Sequence, residues 1–514
     1  MTRVALAAPH HAAVAAGERA IAAGGNALDA ALAAAVTLTV VYPHQCALGG
    51  DLIAVVRAPD GRTRAVVAAG TAPRRVDEVS GGWSEVPRQG AHAVSVPGIV
   101  AGWSAIHGLG ARRPLADAFE GAAGLAADGE PVSAGLARAL VSRADAVMAD
   151  SGLRGVFAPE GRMLAEGELL QQPALAATLR RLAVDPTDIY RGRTAAALLR
   201  TLSLAGGVHE ASDFADYRPE IVPALQADID GATWSVAPPP SVGPILLGVA
   251  SAAAAARPDP RPVFEASLRG VRARAAHLGD PRAQEIDLDA LLDLRSDDAP
   301  DGPGEPRPSG DTASVTAADE DGWAITIVQS VYMTFGASLL DPETGIVLHN
   351  RGSAFSADPA SPAFIRPGAR PPHTLCPAIV DDGAVTVVAG CQGGRAQPWI
   401  LAQLLPDTLD PAQRLDDVLA RPRWVVGDRD LGQPTLSLVC EPGAPDAVRE
   451  RAAELGIPVI AFPGPADEAG HVQLVRVARA TSTLEAASDP RADGAAFVGG
   501  ADHADDTLDP RRTR

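Results

Sequence analysis

The residue whose type and setting could do covalent chemistry is Thr312. It follows a breaker-rich run, SDDAPDGPGEPRPSGD over residues 296–311, and opens a β-rich run. A threonine hydroxyl is a weak nucleophile at neutral pH and needs a base beside it. Cutting the chain between Asp311 and Thr312 would place an α-amine on the same residue as the hydroxyl. Such an amine has a pKa of about 7.7–8.0, suited to general-base work near pH 7. The uncut amide has no such basicity. A zymogen cut site and an ordinary strand start both fit this pattern. The second candidate is Gly390-Cys391-Gln392-Gly393-Gly394-Arg395. Two successive glycines after a strand leave N–H groups unobstructed, and such donors can hold an oxyanion in acyl transfer. An ordinary turn fits here as well. Cys391 reads as a small buried residue rather than a nucleophile.

Other chemistry is excluded. All 44 residues of the Lys+Arg class are arginine. A P-loop, a kinase ATP-binding lysine and a Schiff-base or pyridoxal-phosphate lysine are therefore ruled out. A codon bias towards arginine accounts for the composition, and the exclusions hold regardless. No G-x-S-x-G elbow occurs. His209-Glu210 lacks the second histidine of H-E-x-x-H, since Asp213 stands there. Gly108-Leu109-Gly110 lacks the third glycine and a preceding strand, so a dinucleotide fingerprint is not supported. His10-His11 is a tempting metal pair, but adjacent residues are expected to point apart. No metal and no organic cofactor are expected.

The elements that must position these residues alternate between helix and hairpin. Residues 11–42 read as two Ala-rich helices, the first ending at Gly24-Gly25, the second opening with Asn26 as N-cap and Asp29 in its first turn. Residues 47–70 read as a hairpin around an Asp-Gly turn. Residues 98–245 are mostly helical in pattern, and a Pro-rich loop at Pro238–Pro240 precedes a helix over Ile245–Ala256. Two further hairpins pair Thr312–Asp319 with Trp323–Val331 and Ala378–Val380 with Ala384–Ala389. The tail from Gly499 is polar and expected to fray. Antiparallel sheets covered by helices follow from this order.

A hydrophobic content of 46% supplies a large core, and the net charge of −19 argues against nucleic acid or an anionic membrane surface as partner. Four scattered cysteines without a C-x-x-C suit a reducing compartment. The apolar run Ala31–Tyr42 is too short to span a bilayer, and no signal-peptide pattern precedes His10. A cytoplasmic protein is expected.

At the candidate residues the chain resembles the gamma-glutamyltransferase family of N-terminal nucleophile hydrolases. The similar blocks include residues 23–51, VPGIVAGW (96–103), GDTASVTAAD (310–319), residues 335–356, RPPHTLCPAIV (370–380) and GCQGGR (390–395). Residues 257–311 are the weakest stretch. The resemblance implies a four-layer αββα fold, in which helices cover two antiparallel sheets. It also implies one self-cleavage, here into residues 1–311 and 312–514, forming one intertwined unit. By motif, Thr312 is the nucleophile, Ser330 hydrogen-bonds it, and Gly393 and Gly394 form the oxyanion hole.

The departures concern substrate. The family's carboxylate-binding arginine corresponds to Ala69, and the acidic partner of the substrate amine corresponds to Ala354. Tyr332 stands where asparagine is usual, His373-Thr374 where a Ser-Ser pair is usual, and Ala313 where threonine is usual. The chain looks like the divergent bacterial branch that includes an oxamate amidohydrolase. A small amide other than glutathione is the expected substrate. Arg351, Arg395 or the Arg74-Arg75 pair would meet any anionic group, and His373 would orient a polar group or relay a proton. A γ-glutamyl hydrolase or transferase using Arg74 or Arg75, and a relative that never cleaves, are the two alternatives. The expected assembly is a heterodimer of the two fragments, or a dimer of such heterodimers.

Overall fold

The computed structural model describes residues 2–295, 310–428 and 433–500, with side chains omitted at 310 and 311. Thirteen strands build two large sheets. In chain order they are β1 (Val4–Ala8), β2 (Asp51–Arg57), β3 (Thr63–Ala68), β4 (Glu220–Pro223), β5 (Leu225–Ile229), β6 (Ala232–Val236) and β7 (Gly310–Asp319). They continue with β8 (Ala324–Met333), β9 (Ala378–Asp381), β10 (Val385–Gln392), β11 (His471–Ala478), β12 (Thr483–Ser488) and β13 (Ala495–Gly499). The first sheet runs β13-β1-β7-β8-β2-β3-β4 and the second β12-β11-β10-β9-β6-β5. All neighbouring pairs within both sheets are antiparallel.

Strand alternation sorts the core into layers. Ile53 and Val55 of β2, Val67 of β3 and Val328 of β8 pack against Ile379, Val388 and Val475 of the other sheet. The odd-even partners Leu52, Ala54, Val56, Ile325 and Ile327 face outward into a helical layer. That layer includes α1 (His11–Ala22), α2 (Ala27–Val41), α3 (Ile99–His107), α4 (Leu115–Asp128) and α5 (Pro173–Val184). A second layer, with α6 (Gly243–Ala254), α7 (Arg261–His277) and α8 (Gln397–Thr408), covers the other sheet. The result is the four-layer αββα arrangement. Both sheets combine strands from before and after residue 311.

The two Ala-rich helices form as read. Asn26 Oδ1 accepts from Leu28 N and Asp29 N, while Asp29 Oδ2 accepts from Asn26 N, a reciprocal capping box. Other readings are corrected. Residues 98–245 contain five strands inside the expected helical region: β4 to β6, and the short pair Glu130–Pro131 and Leu169–Leu170. β4 and β5 are edge strands with half-exposed alternation, so they carry little apolar signal. β7 begins at Gly310 rather than Thr312, because Gly310 and Asp311 pair with Met333 and Tyr332. The rest of the expected loop, 296–309, and the tail from 501 lie outside the described residues. The Pro-rich loop leads into a helix that starts earlier, at Gly243.

Candidate active site

Thr312 sits on the inner face of the first sheet, 1% exposed. The ladder between β7 and β8 slips opposite it. Ala313 pairs with Gln329 and Asp311 with Tyr332, so Ser330 and Val331 both oppose the single Thr312. Such a bulge re-aims side chains out of the regular ladder. Here Thr312 Oγ1 donates to Ser330 Oγ at 3.4 Å, and Ser330 Oγ also accepts from Tyr332 N at 2.7 Å. Tyr332 takes φ +78°, a strained conformation for a bulky residue that the surrounding contacts must hold.

The tyrosine ring then carries the next member. The Arg351 guanidinium lies 3.7 Å from the Tyr332 ring centroid, a cation–π contact. Its Nη2 donates to Thr374 Oγ1 at 3.3 Å. Arg351 is fully buried, and its Nε and Nη1 have no hydrogen-bond partner among the described residues. Burial lowers its pKa to about 10, so it stays a cation at neutral pH.

The glycine pair lies at the end of β10. A Cβ on Gly390 would fall 2.7 Å from Ser314 Cβ and 2.8 Å from Thr326 Oγ1, so only glycine lets β10 approach β7 and β8 this closely. Gly393 (φ +151°) and Gly394 (φ +53°) then turn the chain, and the short helix Gly394–Ala396, which contains the buried Arg395, packs against β7. Cys391 is buried and its thiol is pushed well up by desolvation, which keeps it protonated.

Two residues escaped the sequence reading. Asp51 opens β2 directly across from Ser330. Its Oδ1 accepts from Gly70 N at 3.0 Å and Gly98 N at 3.3 Å. Its Oδ2 lies 3.1 Å from His373 Nε2 and 3.5 Å from His349 Nδ1. Burial is the leading cause that lowers both histidines to about 4, so each is neutral at pH 7. A carboxylate heading the otherwise apolar run DLIAVV was the available signal for Asp51. His349 had none, since only tertiary packing brings it there.

The other candidates lie elsewhere. Arg74 pairs with Asp216 at 2.8 Å and Arg75 with Glu78 at 2.6 Å, and both arginines are half exposed. His10 and His11 do not point apart: their rings stack at 4.5 Å, because His10 is the extended N-cap residue of α1. Glu130 joins them, 3.2 Å from His11 Nε2. Rings stacked only 25° from parallel cannot aim their lone pairs at one ion.

The gamma-glutamyltranspeptidase family model matches residues 13–499. The chain belongs to the gamma-glutamyltranspeptidase family. Among similar proteins, the oxamate amidohydrolase proenzyme of Klebsiella pneumoniae is 34% identical, covering 95% of this chain and 97% of its own. The glutathione hydrolase-like YwrD proenzyme of Bacillus subtilis is 31% identical, covering 96% and 98%. The crystal structure of a cephalosporin acylase from Bacillus halodurans superposes with a TM-score of 0.85 at 27% identity, covering 96% of both chains. A gamma-glutamyltranspeptidase-family enzyme with the N-terminal nucleophile hydrolase fold is the consequence. Ala69, the position at which the sequence reading finds a cation lost, is 2% exposed and packs between the two sheets.

Proposed function

We propose that this enzyme cuts itself between Asp311 and Thr312 and then hydrolyses a small amide that carries a carboxylate. The observation that carries this reading is the buried Arg351, with Nε and Nη1 unpartnered among the described residues. A buried cation with open donors is costly unless an anion completes it. A carboxylate can take both N–H groups bidentately. Oxamate, named in one relative, is an amide whose carbonyl adjoins a carboxylate.

In the proposed cycle the Thr312 hydroxyl oxygen attacks the amide carbon, and its proton passes to the Thr312 α-amine. The oxyanion rests on the N–H groups of Gly393 and Gly394. The C–N bond breaks, the amine leaves with the proton, and water then hydrolyses the threonine ester. Ser330 orients the nucleophile through the 3.4 Å hydrogen bond. The two fragments stay associated after cutting, because each contributes hydrogen-bonded strands to both sheets.

Purified enzyme should give two bands on a denaturing gel, the smaller beginning at Thr312, and the two should coelute under native conditions. Thr312→Ala should give one uncut band and no turnover. Oxamate or another small amide whose carboxylate adjoins the carbonyl should be hydrolysed, and glutathione, whose γ-glutamyl carboxylate is remote from the amide, should not. Turnover of glutathione at comparable rates would overturn the substrate assignment. A single band from unaltered protein would overturn the self-processing mechanism.

A further inference from the structure

The helical layer over the second sheet holds a cavity of about 220 Å³ that the proposed cycle leaves unused. Its apolar walls are Trp234 of β6, Ala253 of α6, Val263 of α7, Leu404 of α8, Leu409 and Trp424. All but Leu409 are buried. Alanine on α6 leaves room that a larger side chain would fill. The charged residues around this space are spent on one another. Asp407 accepts from Arg257 Nη2 at 2.7 Å and from Arg421 Nη1, and Arg257 also lies 3.8 Å from Asp230. Asp259 pairs with Arg261, and Arg423 with Asp489. A charged ligand would have to break one of these pairs, whereas a neutral one would not. An apolar cavity of about 150 Å³ stays dry and takes up benzene. The larger space here suits a second ring, and two indole side chains in its walls favour an aromatic guest.

We propose that this cavity binds a neutral two-ring aromatic molecule, and that the bound ring stiffens the Gly393-Gly394 turn. Two of its walls reach that turn. α8 lines the cavity with Gln403 and Leu404, and one helical turn earlier it carries Ile400. Ile400 Cδ1 lies 2.7 Å from where a Cβ on Gly393 would stand and 2.8 Å from where one on Gly470 would stand. The other wall is the segment of Arg423 and Trp424. Arg423 Nη1 donates to the carbonyls of Ala469 at 3.2 Å and Gly470 at 2.8 Å. Gln403 ties the walls together, since its Nε2 donates to the Trp399 and Trp424 carbonyls at 2.9 Å and 3.0 Å. A ring packed against Leu404 and Trp424 restrains both walls at once. Restraint of this kind couples two places in a protein without a change of fold.

The test titrates purified enzyme with indole by calorimetry and follows amide hydrogen exchange by mass spectrometry with and without it. The expected result is one saturable site. Exchange should slow in peptides covering the cavity walls, 399–409 and 421–424, and also in those covering 391–396 and 468–472. Ala253→Trp and Leu409→Trp each fill the cavity, and both should lose the saturable heat at an unchanged melting temperature. Leu409 is only half-buried, so its variant decides the matter if Ala253→Trp fails to fold. No saturable heat from the unaltered enzyme overturns the site. Binding that survives in folded Leu409→Trp overturns it too, because the ring then sits elsewhere. Slower exchange at the cavity walls alone overturns the stiffening of the turn. Indole-3-carboxylate that binds as tightly as indole, and is lost in the same variants, overturns the neutral class.

Discussion

Arg351 is useful to substrate binding because its burial and its open nitrogens act together. An exposed arginine would gain little from a carboxylate, since water competes and salt screens the pair. At Arg351 no water competition remains, and Tyr332 and Thr374 hold the guanidinium in one plane. Arg351→Gln should therefore raise KM for a carboxylate-bearing amide by about 30- to 5000-fold, the range for losing one member of a buried charge pair. Turnover of a neutral amide of the same size should change far less, and equal losses on both would point to a folding defect. The types at positions 312, 351, 373 and 393–394 were legible in the sequence. Asp51 was not, because its role depends on standing across from Ser330 on a neighbouring strand.

Elements position these residues through local rules of different legibility. The capping box at Asn26 is a short-range pattern and reads directly from sequence. Asn26 also donates from Nδ2 to the Gly110 carbonyl at 2.9 Å, which ties the start of α2 to the turn after α3. Asn26→Ala should cost about 1–2 kcal/mol of stability, checked by denaturant melts, with the self-cleavage pattern unchanged. A variant as stable as the unaltered protein would show that the box is not stabilising. The hairpins were legible from their Asp-Gly turns. The edge strands β4 and β5 were not: half of each faces solvent, and β4 pairs with the distant β3, while β5 pairs with β6 across the Asp230-Gly231 turn with little apolar signal of its own. The bulge opposite Thr312 was equally invisible. Nothing in VQSVYM shows that Ser330 and Val331 share one partner until β7 lies alongside.

At the scale of the whole molecule, burial sets the response to acid. His10, His349, His209 and His373 are lowered to about 4, and His44 to about 3, with desolvation the leading cause in each. The unfolded chain binds these protons from about pH 6.5 downward, and the folded chain resists them until near pH 4. Their stabilising contribution is thus full above pH 6.5 and is lost as pH falls through that window. Each histidine contributes at most about 1.4 kcal/mol per pH unit there. Melting temperature should drop markedly from pH 7 to pH 5, and a flat profile would show that these rings gain protons in the folded state.

The sequence by itself determined the chemistry that is possible. Without lysine, only arginine, histidine or backbone N–H groups can meet an anion, and a terminal threonine can carry its own base. Ordered motifs along the chain were enough to place the family and the αββα layers, since residue type and short-range spacing survive in the linear text. Only the tertiary structure decided which arginine turns inward. Arg74 and Arg75 find acidic partners at the surface, whereas Arg351 is enclosed between Tyr332 and Thr374 with donors open. The physical reason is that burial and partner choice depend on strand register and sheet packing between distant segments, which no local pattern encodes.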